Sequence, residues 1–168
     1  MLFIDVQDAL RDGFTPLMLA ADGGHVECVN LLLRYRANIH AQDKKGTTAL
    51  MFASMRGHTA CTRSLLAYGS DVDAVDNDGW TAFMWASNEG KIDCLQLLFE
   101  RGSNLNIQDH KMDTPIIAAS FGGFDLCLAK LIELGADYNY RNSNGGTAFM
   151  VAALEGHTNC LELLLRYG

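Results

Sequence analysis

Apolar and polar residues alternate along the chain in short blocks. Leu17 and Leu19 follow Thr15 and precede a glycine pair, a pattern that predicts a short helix capped by threonine. From about Val26 to Arg34, apolar residues stand at i, i+1, i+4 and i+5, which predicts a second helix with one broad apolar stripe. That stripe comprises Cys28, Val29, Leu32 and Leu33. A polar segment follows each such pair and predicts a turn.

The same block returns every 33 residues, and four positions are invariant over five copies. These columns are Cys28, Cys61, Cys94, Cys127 and Cys160; Thr15, Thr48, Thr81, Thr114 and Thr147; Gly24, Gly57, Gly90, Gly123 and Gly156; Ala20, Ala53, Ala86, Ala119 and Ala152. Each predicted helix pair has apolar surface on two sides, which only neighbouring pairs can bury. The period therefore predicts a one-dimensional stack.

Residues 12–43, DGFTPLMLAADGGHVECVNLLLRYRANIHAQD, resemble an ankyrin repeat, and the match continues in register through nearly the whole chain. The resemblance implies an all-α repeat solenoid of stacked helix–turn–helix ankyrin repeats with projecting β-hairpin or loop tips. We expect a single ankyrin-repeat domain over residues 1–168, composed of the tail of a missing repeat, four full repeats and a truncated fifth repeat. The corresponding segments are 1–9, then 10–42, 43–75, 76–108 and 109–141, then 142–168.

Three columns depart from the family pattern. The usual histidine, which the resemblance implies to be hydrogen-bonded, is replaced by apolar residues at Met18, Met51, Met84, Ile117 and Met150. We expect packing to take the place of that hydrogen bond. Met112 stands where the other tips carry glycine, and Arg36 replaces a helix-capping glycine. A positive φ at Met112 would cost about 1 kcal/mol, or the turn would change type.

The two ends of the sequence fall inside the period. Asp5 and Val6 are in register with Asp71 and Val72, and the last helix is followed by no polar capping repeat. Because solenoids need polar caps, we expect the chain to be a piece of a longer array. The alternative is a complete protein whose bare ends associate with each other or with a partner.

Charge and composition narrow the classes of partner. The net charge of −7 argues against a nucleic-acid footprint, and the basic cluster of Lys44, Lys45, Arg56 and Arg63 is small enough to be a solvated surface. The first ten residues lack the pattern of a signal peptide, and no apolar run reaches the length of a membrane helix. We therefore expect an intracellular protein of the cytoplasm, with the nucleus as the alternative, and neither nucleic-acid binding nor membrane insertion.

The five cysteines raise the question of thiol or metal chemistry. Stacked helices lie roughly 8–10 Å apart, which is too far for a disulfide and does not gather four sulfurs around one zinc ion. We interpret the column as small buried apolar residues. The sequence contains no G-x-S-x-G, P-loop or H-E-x-x-H motif. We predict no catalytic residue, metal ligand or cofactor, and a protein that is not an enzyme.

The residues that vary while the frame repeats are the candidate binding residues. The resemblance implies that protein partners bind a concave face made of the tips and the first helices. Carried over by position, that face comprises Lys44, Lys45, Thr47, Met55, Arg56, Asn77, Asp78, Trp80, Asn88, Glu89, His110, Lys111, Asp113 and Phe121. Trp80, between Met55 and Phe121, is the preferred anchor. The alternative is that Trp80 only packs on its own repeat. Trp85 is interpreted as core.

The leading hypothesis is a non-enzymatic scaffold for a protein partner, which includes further repeats of the same parent chain. One alternative is a regulatory or targeting module of a larger enzyme or channel that lies outside this chain. Another is a substrate for modification, because Asn139 in LIELGADYN resembles the sites of asparaginyl hydroxylation in ankyrin repeats.

Overall fold

Threonine begins each first helix, as the sequence predicts. The computed structural model describes residues 7–167. The hydroxyl of Thr15 accepts a hydrogen bond from the backbone N–H of Met18 at 3.3 Å, and Thr48, Thr81 and Thr147 cap in the same way. Thr114 keeps the extended backbone, but its buried hydroxyl has no partner.

Ten helices form within residues 7–167, arranged as five pairs, and no β-strand forms there. They are α1 (Pro16–Asp22), α2 (Val26–Arg34), α3 (Ala49–Arg56), α4 (Thr59–Ala67), α5 (Ala82–Asn88), α6 (Ile92–Glu100), α7 (Pro115–Gly122), α8 (Asp125–Glu133), α9 (Ala148–Glu155) and α10 (Thr158–Tyr167). None of them is both long enough and apolar enough to cross a membrane.

The helix pairs stack in sequence order, which confirms the all-α repeat solenoid. Each odd-numbered helix contacts the next odd-numbered helix, and each even-numbered helix contacts the next even-numbered one. The alanine column lies between the first helices and is buried throughout, which allows the close approach that the sequence predicts. The prediction for Asp5 and Val6 lies outside the described residues.

The methionine column keeps part of the hydrogen bonding that we expected packing to replace. The sulfur of Met18 accepts the backbone N–H of Thr15 at 3.5 Å, and Met51 accepts that of Thr48 at 3.4 Å. A thioether is a weak acceptor, so two of the five pairs close the helix start from both sides.

The cysteine column is buried in four copies, but the prediction is wrong for Cys28, which is exposed. Each buried cysteine faces the second helix of the preceding pair; the sulfur of Cys94, for example, lies 3.5 Å from the hydroxyl of Thr59 and 3.6 Å from that of Thr62. Within the described residues, no helix precedes α1 and α2, so nothing covers Cys28.

Five turns at the tips connect the helix pairs, and they share one hydrogen-bonding pattern. We call them the tips, residues 10–14, 43–47, 76–80, 109–113 and 142–146; in each, the first N–H donates to the carbonyl four residues later. Neighbouring tips are joined by a backbone hydrogen bond, such as that from Asn77 N–H to the Lys45 carbonyl at 2.9 Å. The tips therefore form a continuous hydrogen-bonded row.

Met112 retains the turn type of the other tips at φ +62°, close to the +80° of Gly46. Arg36 also has φ +62°, whereas Gly69 occupies the equivalent cap at +93°. The turns therefore do not change type, and both side chains hold a left-handed conformation that disfavours them.

A second contact joins the pairs near the end of each first helix. The conserved-period glycine there leaves room for the residue that precedes the next second helix, and a Cβ at Gly24 would lie 2.6 Å from the ring of His58. The same relation joins Gly57 to Lys91, Gly90 to Phe124 and Gly123 to His157. His58 and His157 add hydrogen bonds of 3.0 Å to carbonyls of the preceding pair.

Candidate functional site

The predicted binding residues lie on the tips and near the ends of the first helices, with unequal exposure. Eight of them are exposed: Lys44, Lys45, Arg56, Asn77, Asp78, His110, Lys111 and Phe121. Five are half-buried: Met55, Trp80, Asn88, Glu89 and Asp113. Thr47 is buried, with its backbone N–H donated to the carboxylate of Asp43 at 2.8 Å, and offers little surface.

A carboxylate or amide at the start of four tips holds each turn in one conformation. Asp109 Oδ1 accepts the backbone N–H groups of Lys111 at 2.8 Å and of Asp113 at 2.7 Å. Asp43, Asp76 and Asn142 make the same pair of bonds. Because both bonds are local, these tips are prearranged rather than shaped by what they contact.

The two tryptophans are tied to this row of carboxylates. Trp80 donates its Nε1–H to Asp109 Oδ2 at 2.8 Å, across to the next tip, and Trp85 donates to Asp76 Oδ2 at 2.9 Å. Their ring centroids lie 4.6 Å apart, with the planes inclined by 50°. Trp80 thus packs on its own pair and also joins the next one, while Trp85 is half-buried at the edge of the core.

Beside Trp80 the surface forms a groove of about 310 Å³ between the last two helix pairs. It is lined by Trp80, Lys111, Asp113, Ile117, Ala118, Phe121, Asn142, Val151, Leu154 and Glu155. Phe121 is 54% exposed and Leu154 is 81% exposed, an unusual placement for two large apolar side chains. Met55 does not line the groove, so the structure brings Phe121, but not Met55, together with Trp80.

Sequence reasoning did not select Ala118, Asn142, Val151, Leu154 or Glu155 as site residues. Ala118 and Val151 share a column with Trp85, which the sequence assigns to the core. Leu154 and Glu155 do stand at the end of a first helix, and that position was the available signal.

Asp113 sets the electrostatic character of the groove. Its Oδ1 accepts a hydrogen bond of 2.8 Å from the side-chain amide of Asn142. Burial raises the pKa of Asp113 above its ordinary value; the amide of Asn142 counteracts this, Asp109 raises the pKa further, and Lys111 lowers it. The carboxylate is therefore poorly compensated where it lies.

Other charged candidates are already paired. Arg56 contacts Asp22 of the preceding pair at 2.8 Å, and this hydrogen bond raises the pKa of the guanidinium. Lys44 lies 3.6 Å from Asp12, with both side chains mostly exposed. Such exposed pairs contribute little stability.

The thiols are poor nucleophiles where the helices cover them. Burial raises the pKa of Cys127 to about 11 and that of Cys160 to about 11, so both stay protonated at neutral pH. Among residues 7–167 no group of three or more His, Cys, Asp or Glu side chains is placed to hold a metal ion. The geometry that stands out is a rigid apolar groove with charged edges.

Two family models match the chain. Residues 17–109 match a model described as ankyrin repeats (3 copies), and residues 116–165 match one described as ankyrin repeats (many copies). A search of curated proteins finds no match to the chain.

Proposed function

The chain belongs to the ankyrin repeat family, and from that premise we propose that it is a non-catalytic scaffold binding a protein partner across its tips and first helices. Ankyrin repeats are in general protein–protein interaction modules. The proposal extends that role to one face of this chain and to an intracellular setting, which five free thiols support.

The observation that carries the proposal is the groove beside Trp80. Aromatic and large apolar side chains in a prearranged surface supply most of the energy in protein interfaces. Phe121 and Leu154 project into solvent from helix ends, while the row of tips holds the surrounding backbone. Little conformational entropy is lost when a partner covers such a surface.

Phe121 is a sharper test of the face than Trp80. Replacing Trp80 would also remove its bond to Asp109 and its contact with Trp85, so binding and stability would change together. We expect Phe121→Ala to weaken binding of a partner captured from lysate by about 2 kcal/mol, with unchanged helicity, measured by titration with the purified partner.

Leu126→Ala is the matched control. Leu126 is 67% exposed, but it lies on the second helix α8, away from the tips. We expect its removal to leave the affinity unchanged. If Phe121→Ala and Leu154→Ala both bind the partner as tightly as wild type, the proposed face is wrong.

The outer surface of α9 and α10 supports a second contact, with further repeats of the same parent chain. Met150 is 51% exposed, whereas Met18, Met51 and Met84 are buried by the pair that follows each of them. Leu165 is also exposed there. Sequencing the transcript past codon 168 tests this: a continued 33-residue period supports it, and a stop codon contradicts it.

A further inference from the structure

Carboxylates dominate the charge around the groove. Asp113 and Glu155 line it, and Asp109 lies directly behind Trp80. Lys111 is the one positively charged side chain among the described lining residues. Three negative charges therefore surround one positive charge.

The two lining carboxylates have unused capacity to accept hydrogen bonds. Asp113 accepts from Asn142 through Oδ1 only, and no described residue donates to its Oδ2. Glu155 is exposed and forms no ion pair with a described residue. Asp109 differs, because its oxygens already accept two backbone N–H groups and the indole of Trp80. It contributes charge to the groove rather than contact.

The floor of the groove is apolar. Ile117 and Ala118 form its buried base, Val151 is half-buried, and Phe121 and Leu154 stand at its side. A volume of about 310 Å³ lies at the low end of the range for ligand sites, which suits a few side chains of a peptide better than the edge of a domain.

We propose that this groove binds a short peptide segment of the partner in which an apolar side chain stands beside a lysine or arginine. The apolar side chain lies against Phe121 and Leu154, and the cation faces Asp113 and Glu155. This inference rests on the proposed function and names the chemistry of its partner.

A basic segment fits because it supplies what the groove lacks. A guanidinium or ammonium group donates to carboxylate oxygens and compensates their charge, and such charge-assisted bonds are stronger than neutral ones. Burial without a nearby cation already raises the pKa of Asp113. An acidic segment would have only Lys111 to contact and would face three carboxylates.

The test uses a phage-displayed library of random 12-residue peptides, selected on the whole chain. We expect the selected peptides to combine Leu, Phe, Met or Trp with a nearby Lys or Arg. Synthetic copies are then titrated by fluorescence anisotropy. Asp113→Asn combined with Glu155→Gln should weaken their binding about tenfold, and added salt should weaken binding to wild type.

The control changes the net charge equally but elsewhere. Asp93→Asn combined with Glu27→Gln removes two exposed carboxylates from second helices. We expect this variant to bind the selected peptides as wild type does. Circular dichroism checks that both double variants retain their helices.

The possible outcomes separate the inference from the proposed function. Peptides that lose binding with Phe121→Ala but carry no basic residue, or an acidic one, overturn the inference and leave the proposed face standing. Unchanged binding to the Asp113→Asn, Glu155→Gln variant also overturns it, as does the absence of any selected peptide. Peptides that bind wild type and Phe121→Ala equally contradict the proposed face itself.

Discussion

At the scale of single residues, Met112 and Arg36 hold left-handed positions that glycine occupies in other copies. Both have φ +62°. Ordinary side chains pay a steric penalty there, because Cβ approaches the following carbonyl oxygen. The surrounding turn keeps its hydrogen bonds, such as Met112 N–H to the Asp109 carbonyl at 3.0 Å. The strain is therefore held by the tip rather than relieved by a new turn.

We expect Met112→Gly to raise the free energy of unfolding by about 1 kcal/mol, because glycine adopts this φ without a steric penalty. Urea denaturation measures the change. Met112→Ala keeps the Cβ and should bring no such gain. Equal stabilisation by alanine and glycine would show that loss of the exposed methionine side chain, and not backbone strain, is responsible.

The raised pKa of Asp113 makes stability depend on pH. The folded chain holds the Asp113 proton to a higher pH than the unfolded chain, whose carboxyl has the ordinary value of 3.8. The favourable contribution of this group is therefore complete below 3.8 and is lost as pH rises through the folded pKa. The ionised carboxylate destabilises the fold at neutral pH.

Asp113→Asn should consequently be more stable than wild type at pH 7, and the difference should shrink as the pH approaches 4. Asparagine can still accept the hydrogen bond from Asn142 and carries no charge. Urea unfolding at a series of pH values provides the measurement. A difference that is constant with pH would contradict this explanation.

Residue-level features were predictable where they depend on local sequence only. The threonine caps and the left-handed positions at Met112 and Arg36 follow from a few neighbouring residues. The bond from Trp80 to Asp109 spans 29 residues and depends on how neighbouring tips align. The groove combines α7, α9 and two tips, so its composition could be assembled only from the stacked structure.

At the scale of helices, α5 and α7 approach each other most closely at Gly122. A Cβ on Gly122 would collide with the backbone carbonyl of Asn88, which cannot move without displacing α5. Alanine normally favours a helix over glycine by about 1 kcal/mol. Here we expect the opposite sign.

Gly122→Ala should lower the free energy of unfolding by about 2 kcal/mol, as overpacking does elsewhere. Gly23→Ala is the matched control at the equivalent position of the first pair. There the added Cβ meets the ring of His25, an exposed side chain that can rotate away. Similar losses in the two variants, measured by thermal unfolding, would show that the approach of α5 and α7 is not the cause.

The helix bounds followed closely from the sequence pattern. The second helix of the first pair was expected from about Val26 to Arg34, and α2 has those bounds. Its burial was predicted less well, because Cys28 lies on the expected apolar stripe and is exposed. Periodicity identifies the side of a helix that can be buried, but a neighbour must be present to bury it.

At the scale of the whole molecule, burial falls towards the last described pair. Six residues of α7 are buried, including Ile116 and Ile117, whereas only Ala148 and Ala152 are buried in α9. A stack gains stability from each interface with a neighbouring pair. The pair α9–α10 has an interface on one side only within residues 7–167.

Native-state hydrogen exchange should therefore show lower protection in α9 and α10 than in α5, α6 and α7. Local opening of an end pair exposes less apolar surface and breaks one interface rather than two. Mass spectrometry of exchanged peptides would resolve the pairs. Uniform protection along the chain would instead indicate that all pairs open together.

The contact between each glycine and the next pair has an evolutionary consequence. Unequal crossing-over between copies removes or adds whole periods, and loss of residues 43–75 would place Lys91 over Gly24 just as it now covers Gly57. The new neighbours would meet as the old ones did, since the glycine accepts histidine, lysine or phenylalanine. A deletion of any other length would put the partner of Gly24 on the wrong side of its helix. Descendants of this chain should thus vary in length by multiples of 33 residues.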